Sequence, residues 1–332
     1  MVKVFDTIII GGGAAGLSAA IYSGRYLMKT AVIMGHEPGG ETATAWTIEN
    51  YPGIKKIDGF DLVQTMVEQV REAGAELVNE QVREVSQDGH CFTVHTDSDA
   101  FQAKTLILAT GNQRRHLSLP NEKELLGRGV SYCATCDAPL YKGKDLLIVG
   151  GGDSSVKGAI LAAGYARKTY LMTQNEKITG EPVNLAKLKK FGSSVEVIVK
   201  NQVQELLAKN GKLEGVRLGN KFLGSDVLRV QGVLVEIGFE PKTDFAEMLQ
   251  CKLDKKGYIE VDSLMRTSVD GVYACGDSTN IFGGFKQVVT AAASGAVAAT
   301  SVYQDLGIHS EAACRVHALP LLFEKVKALT KR

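Results

Sequence analysis

The sequence predicts an α/β fold assembled from two parallel-sheet units, and three observations carry that expectation. A strand, a glycine turn, a helix and a second strand open the chain. The same order recurs near its middle. Each copy is followed, much later, by an apolar strand that ends on glycine. Short strands alternating with helices specify βαβ units, and a duplicated βαβ unit specifies two such folds in one chain.

In chain order, Thr7-Ile8-Ile9-Ile10 is a β-branched run suited to a buried strand. Gly11-Gly12-Gly13-Ala14-Ala15-Gly16 turns the chain, Leu17 to Tyr26 reads as a helix of small residues, and Lys29 to Met34 as the next strand. Between strand and helix, G-x-G-x-x-G has a mechanical reading. Gly11 permits the tight turn, Gly13 lets backbone amides approach a pyrophosphate, and Gly16 lets the helix pack on the strand. The helix N-terminus adds a positive dipole. A plain tight turn is the alternative. In the second copy, Asp145 to Val149 is the strand, Gly150-Gly151-Gly152-Asp153-Ser154-Ser155 the turn, Val156 to Ala166 the helix and Lys168 to Thr173 the following strand. The later strands are Thr105 to Leu108, running into Gly111, and Gly232 to Ile237, running into Gly238. Gly271 to Asp277 begins a third strand and turn, with Gln287 to Tyr303 as its helix. The first domain is therefore expected to be discontinuous, interrupted by the second.

Composition narrows the function. A formal net charge of +1 gives no field to steer the chain to nucleic acid or acidic membranes, and a single tryptophan among few aromatics offers no stacking platform for bases. No apolar run reaches the roughly 18–20 residues a bilayer span requires, and Met1 to Asp6 leads straight into a strand with no signal peptide, so a cytoplasmic protein is expected. Among six cysteines only Cys133 and Cys136 are close in sequence. Two thiols in Cys133-Ala134-Thr135-Cys136-Asp137 can close a small disulfide, one attacking an external disulfide while the other resolves the mixed intermediate. Asp137 beside them can move protons. Structural zinc wants four ligands, and no second C-x-x-C or H-x-x-x-H exists, so no metal is expected. Two inert core cysteines are the remaining alternative.

With these motifs in view, the chain resembles the low-molecular-weight, bacterial-type thioredoxin reductases over residues 5–305. Besides the first glycine turn and Ser131-Tyr132-Cys133-Ala134-Thr135-Cys136-Asp137, the resemblance rests on Pro38-Gly39-Gly40-Glu41, Glu49-Asn50-Tyr51-Pro52-Gly53, Ala109-Thr110-Gly111, Ala274-Cys275-Gly276-Asp277 and Lys286-Gln287-Val288. It implies two Rossmann-like, three-layer ββα domains of the class II pyridine nucleotide-disulfide oxidoreductase type. The FAD domain would be 1–114 with 245–306, the pyridine-nucleotide domain carrying the CxxC 115–244, and 307–332 a C-terminal extension. FAD would contact Gly13, Ala15, Gly40, Glu41, Asn50, Val82, Ala109, Gly276, Asp277, Lys286, Gln287 and Val288, with Gly11 and Gly16 shaping the turn. Gly150, Gly152, Asp153 and Ser154 would hold the second nucleotide. Cys136 would lie against the flavin, Cys133 would attack thioredoxin's disulfide, and Asp137 would be the acid. A homodimer and a thioredoxin-like partner are implied.

The chain also departs from that pattern. Glu41 stands where the family usually has glutamine, and Lys157 and Gly158 where it has paired glutamates. Where a His-Arg-Arg run and a further arginine usually grip the NADPH 2′-phosphate, this chain has Thr173-Gln174-Asn175-Glu176 and Thr179. A dianionic phosphate needs charge-assisted donors. Glu176 would repel it, yet suits a 2′-hydroxyl; a solvated loop residue is the alternative. The donor is expected to be NADH, NADPH held by residues such as Arg167 or Lys177, or a non-pyridine donor such as ferredoxin. A dithiol oxidase running the same pair in reverse is the alternative function. In the extension, Pro320 to Leu329 reads as a packing or dimer-contact helix, His309, His317 and Phe323 as surface residues or a cover for the flavin, and Cys314 as an inert or second redox thiol.

Overall fold

The computed structural model describes residues 3–45 and 47–308. The expectations placed on His309, Cys314, His317 and the Pro320–Leu329 helix lie outside those residues. The first stretch contains β1 (Val4–Ile10), α1 (Ala14–Arg25), β2 (Thr30–Ile33), α2 (Gly40–Ala43), α3 (Gly59–Glu72), β3 (Glu76–Val78), β4 (Val82–Asp88), β5 (Cys91–Thr96) and β6 (Ala100–Leu108). Next come β7 (Asn112–Arg114), β8 (Val130–Ser131), α4 (Ala134–Asp137), β9 (Asp145–Val149), α5 (Asp153–Ala163), β10 (Lys168–Met172), α6 (Pro182–Lys189) and β11 (Val195–Ile198). The chain continues through β12 (Val203–Lys209), β13 (Lys212–Phe222), β14 (Ser225–Leu228), β15 (Gly232–Val235), β16 (Phe239–Pro241), α7 (Asp244–Met248), β17 (Val272–Ala274) and α8 (Val288–Ile308). Among the described residues there are two compact units, one of 3–42, 61–111 and 243–308, the other of 43–60 and 112–242.

The first unit is organised by β6. One edge of β6 pairs with β1 in parallel along its length. Its other edge is shared: residues 100–103 pair antiparallel with β5, and Leu106 to Leu108 pair parallel with β17. The sheet therefore runs β3-β2-β1-β6-β5-β4, with β17 also on β6. Ile8, Ile10, Leu106 and Leu108 share a core with Val85, Phe92, Val94 and Phe101 of the β4–β6 meander. Ile9 and Ile107, one residue out of phase, are buried on the opposite side. Helix α1 packs closely on α8. A Cβ on Gly295 would meet Ala15 O at 2.0 Å, the Ser18 hydroxyl donates to Ala292 O at 2.7 Å, and the Tyr26 and Tyr303 rings stack at 4.6 Å.

The second unit repeats the three layers. Its parallel sheet is ordered β11-β10-β9-β15-β8, beside the antiparallel sheet β12-β13-β14. Leu147 and Val149 of β9 join Leu206, Val216 and Leu218 in one core, whereas Leu146 and Ile148 join Val156, Ala159 and Ala162 of α5 in another. This alternation is what a strand covered on both faces produces. The strands and later parallel partners follow the expected order. The helices begin earlier than their periodicity predicts. Gly13 and Gly152 are the N-caps, so Ala14-Ala15-Gly16 and Asp153-Ser154-Ser155 form first helical turns instead of loop. Helix α8 continues past Tyr303 to Ile308.

Candidate functional site: two glycine turns and a dithiol

At the first turn the glycines divide into two kinds. Gly11 has φ +120°, and a Cβ there would lie 2.1 Å from Ala109 O; on Gly16 it would lie 1.9 Å from Gly11 O. These two glycines are demanded by the fold itself. A Cβ on Gly13 would meet nothing nearer than Gly39 O at 3.9 Å, and one on Gly40 nothing nearer than Gly13 Cα at 3.9 Å. Between them is an open cradle at the head of α1, whose first turn carries no acidic side chain. Such a helix end receives an anion readily. The Gly39 N–H donates to Gly12 O at 2.7 Å, which fastens the Pro38–Glu41 segment beside the turn.

Of the other sequence-predicted residues of this unit, Ala109 and Gly276 lie against the turn and its helix, and Asp277 feels the Glu41 charge. Ala109 is buried, and its N–H donates to Ile10 O at 2.8 Å. Gly276 sits against Ala15, where a Cβ would come within 2.8 Å of the Ala15 methyl, and its N–H donates to the Ser294 hydroxyl at 2.9 Å. Burial raises the Asp277 carboxyl above the usual range; Lys286 opposes that shift and Glu41 adds to it. Burial lowers Lys286, which donates to Thr279 O at 2.6 Å and lies over the Tyr258 ring at 4.4 Å. Gln287 donates its N–H to the Thr290 hydroxyl at 3.2 Å ahead of Val288, the first residue of α8. Val82 is buried at the start of β4, paired with Thr96. Asn50 is not part of this unit and lies in the 43–60 segment of the other. Sequence reasoning passed over Glu37, an exposed acid just beyond β2. The signal was available: an acid following the second strand of a βαβ unit is where such folds recognise a ribose.

The second turn has the same skeleton and a different lining. Gly150 has φ +148°, and its Cβ would lie 2.0 Å from Glu236 O. A Cβ on Gly152 meets nothing within 4 Å, but one on Gly151 would fall 2.3 Å from the Thr173 hydroxyl. Asp153 is held from inside: the Glu181 N–H donates to it at 2.7 Å, Asn184 Nδ2 at 3.0 Å, and Lys157 Nζ pairs with it at 2.8 Å. Burial raises this carboxyl, and the three donors outweigh that and bring it below its usual range. Ser154 donates its hydroxyl to Glu236 Oε2. Glu176 is exposed and paired with Lys200 at 2.8 Å. Arg167 is no phosphate ligand. It grips Asp145 at 2.9 and 2.7 Å where β9 begins, at the opposite end of the strand from the glycine turn.

Cys133 and Cys136 form a disulfide at the head of α4. Cys133 is the N-cap, and its Sγ accepts the Cys136 N–H at 3.1 Å. The Cys133 N–H donates to the Ser131 hydroxyl at 3.0 Å, and the Asp137 N–H to Cys133 O at 3.1 Å. Tyr141 feels burial first and the Asp137 charge second, both raising it, so Asp137 and Tyr141 are electrostatic neighbours. Cys251 and Cys275 are free and buried; burial pushes the Cys275 thiol up to about 12 and also raises Cys251. Neither supplies a thiolate at neutral pH. Cys91, where β5 begins, is also disulfide-bonded. Among the described residues no cluster of three His, Cys, Asp or Glu can hold a metal ion.

Comparison with known proteins agrees with this geometry. Residues 5–295 match the family of pyridine nucleotide-disulphide oxidoreductases. The thioredoxin reductase of Bacillus subtilis is 35% identical over 302 residues, 90% of this chain and 94% of the relative. The solved thioredoxin reductase of Lactococcus lactis superposes with a TM-score of 0.86 at 31% identity, covering 92% and 99% of the two chains. A ferredoxin-flavin thioredoxin reductase from Clostridium acetobutylicum is similar at 30% identity and a TM-score of 0.50, covering 93% and 100%. The chain belongs to the pyridine nucleotide-disulphide oxidoreductases and, within them, to the low-molecular-weight thioredoxin reductases.

Proposed function

We propose that the chain is an FAD-dependent reductase of thioredoxin disulfides, passing electrons from a reductant through FAD and the Cys133/Cys136 pair to a thioredoxin-like protein. The observation that carries this is the Cys133–Cys136 disulfide at the head of α4, with Cys133 Sγ accepting a backbone N–H. FAD, when bound, supplies two-electron carriage between the donor and the dithiol. The open cradle at Gly13 and Gly40 fits its pyrophosphate, Glu37 fits its ribose, and Ala15, Glu41, Val82, Ala109, Gly276, Asp277, Lys286, Gln287 and Val288 complete the first unit's share. The same N–H, once the pair is reduced, stabilises a thiolate at Cys133, which makes Cys133 the attacking group and Cys136 the resolving one. Asp137, which follows Cys136 on the same short helix, supplies the proton to the departing thiol. The test is Cys133→Ser: thioredoxin reduction is expected to vanish with FAD retained, and retained turnover overturns the reading.

For the donor we propose NADH over NADPH, received at Gly150, Gly152, Asp153 and Ser154, with Glu176 towards the 2′-hydroxyl. The Thr173–Thr179 stretch contains Lys177 as its one cation and no arginine fork. Anaerobic flavin reduction by each nucleotide decides between them; fast reduction by NADPH at low concentration overturns this preference. A second reading, a ferredoxin-type donor, is favoured by the internal commitments of Asp153 and Ser154. We place the enzyme in the cytoplasm as a homodimer; among the described residues no helix is long and apolar enough to cross a membrane.

A further inference from the structure

We propose that Lys200 is a specificity-determining residue of the second glycine turn: paired with Glu176 it holds that carboxylate for a ribose 2′-hydroxyl, and freed from Glu176 it becomes a ligand for a 2′-phosphate. The proposal rests on the reading that this unit receives a pyridine dinucleotide with Glu176 towards the 2′ position. Strands β9, β10 and β11 run parallel and in register, Val149 beside Met172 and Met172 beside Ile198, so their C-terminal ends open on one crevice. The glycine turn leaves β9 there, Thr173 to Glu176 leave β10, and Lys200 follows β11. Lys200 Nζ pairs with Glu176 Oε1 at 2.8 Å.

Three features converge on this role. The segment that carries Glu176 lies against the turn: a Cβ on Gly151 would come 2.3 Å from the Thr173 hydroxyl and 3.5 Å from Asn175 Nδ2. The backbone of Lys200 is fixed to that segment. Its N–H donates to Asn175 O at 3.0 Å, the Asn201 N–H donates to Thr173 O at 3.0 Å, and the Lys200 carbonyl accepts from Asn220 Nδ2 at 2.8 Å. Lys200 has φ +54°, a region that glycine enters freely, yet a long cationic side chain stands there. Third, the pair is open to solvent, with the Lys200 side chain 63% and that of Glu176 84% exposed. An ion pair this exposed contributes little to stability, so either partner exchanges it for a ligand at small cost. A 2′-hydroxyl donates to Glu176 with the pair intact, whereas a 2′-phosphate meets a carboxylate and a lysine already engaged by it.

The experiment is isothermal titration of the oxidised holoenzyme with NAD+ and with NADP+, which bind without electron transfer. Wild type is expected to bind NAD+ the more tightly. E176Q should tighten NADP+ by about tenfold and weaken NAD+, because Lys200 is released to the phosphate. E176Q/K200Q should lose that gain and E176Q/K200R should keep it. E176Q/K177Q, which leaves Lys200 in place, should also keep it. Flavin content and melting temperature establish that each variant is folded. An NADP+ gain that survives in E176Q/K200Q, or that E176Q fails to produce while wild type binds NAD+, overturns the role of Lys200 alone. Binding of neither nucleotide by wild type or any variant overturns the dinucleotide reading itself.

Discussion

The two glycine turns of this chain are built on one skeleton and furnished in opposite ways. Both have a first glycine with positive φ pressed against the strand that closes the sheet, Gly11 on Ala109 O and Gly150 on Glu236 O. Both have a third glycine with open space around it. At the first, the helix head carries no acid and no side-chain cap. At the second, Asp153 occupies the first turn and is saturated by Glu181, Asn184 and Lys157, Ser154 is bound to Glu236, and Thr179 donates both its N–H and its hydroxyl to Gly151 O at 2.7 and 3.0 Å. Backbone sterics preserve the turn in each place, whereas side chains decide how ready it is for an anion.

The contrast with the dithiol is the first to break. Cys133→Ser and Cys136→Ser should each lower thioredoxin reduction by roughly a thousandfold or more, measured with FAD content unchanged, because a nucleophile and its resolving partner act as a unit. The next pair of variants separates the turns themselves. Gly11→Ala should strip FAD, since its Cβ would meet Ala109 O at 2.1 Å, while Gly150→Ala should destabilise the second unit and leave FAD bound; flavin absorbance per chain reads the difference. Loss of FAD from both variants would show that the turns are not independent.

The lining of the second turn gives a smaller effect. Glu176→Arg should lower the Michaelis constant for NADPH by roughly tenfold and raise that for NADH if Glu176 faces the 2′ position as proposed, since a guanidinium then replaces a carboxylate there. The smallest effect concerns Asp153. Its folded pKa is lowered, so the stability it contributes is present above the ordinary carboxylate range and is lost as pH falls through the depressed value. Asp153→Asn should cost about 1 kcal/mol at neutral pH and nothing once the wild-type carboxyl is protonated, read as melting temperature against pH.

Much of the fold was legible because its signals are local. The β-branched run Thr7–Ile10, the apolar run Asp145–Val149 and the glycines after them state strand and turn without reference to anything distant. The first turns of α1 and α5 were misread as loop because Gly13 and Gly152, as N-caps, start helices before any apolar periodicity begins. The dithiol was legible for the same local reason: two cysteines three apart can only be close. What escaped was Glu236, whose relation to Ser154 spans 82 residues; Glu37, just beyond the second strand, was within reach of the sequence and was passed over.

The sequence by itself determined that this chain has two βαβ turns and one proximal dithiol, since both are set by backbone sterics and short spacing. The tertiary structure alone decided which glycines bear contacts and which leave space, that Arg167 is committed to Asp145 away from the second turn, and that Asp153 and Ser154 are engaged from within. The physical reason is that hydrogen bonding, burial and charge depend on groups far apart in the chain, and only packing brings Asn184 to Asp153 and Glu236 to Ser154.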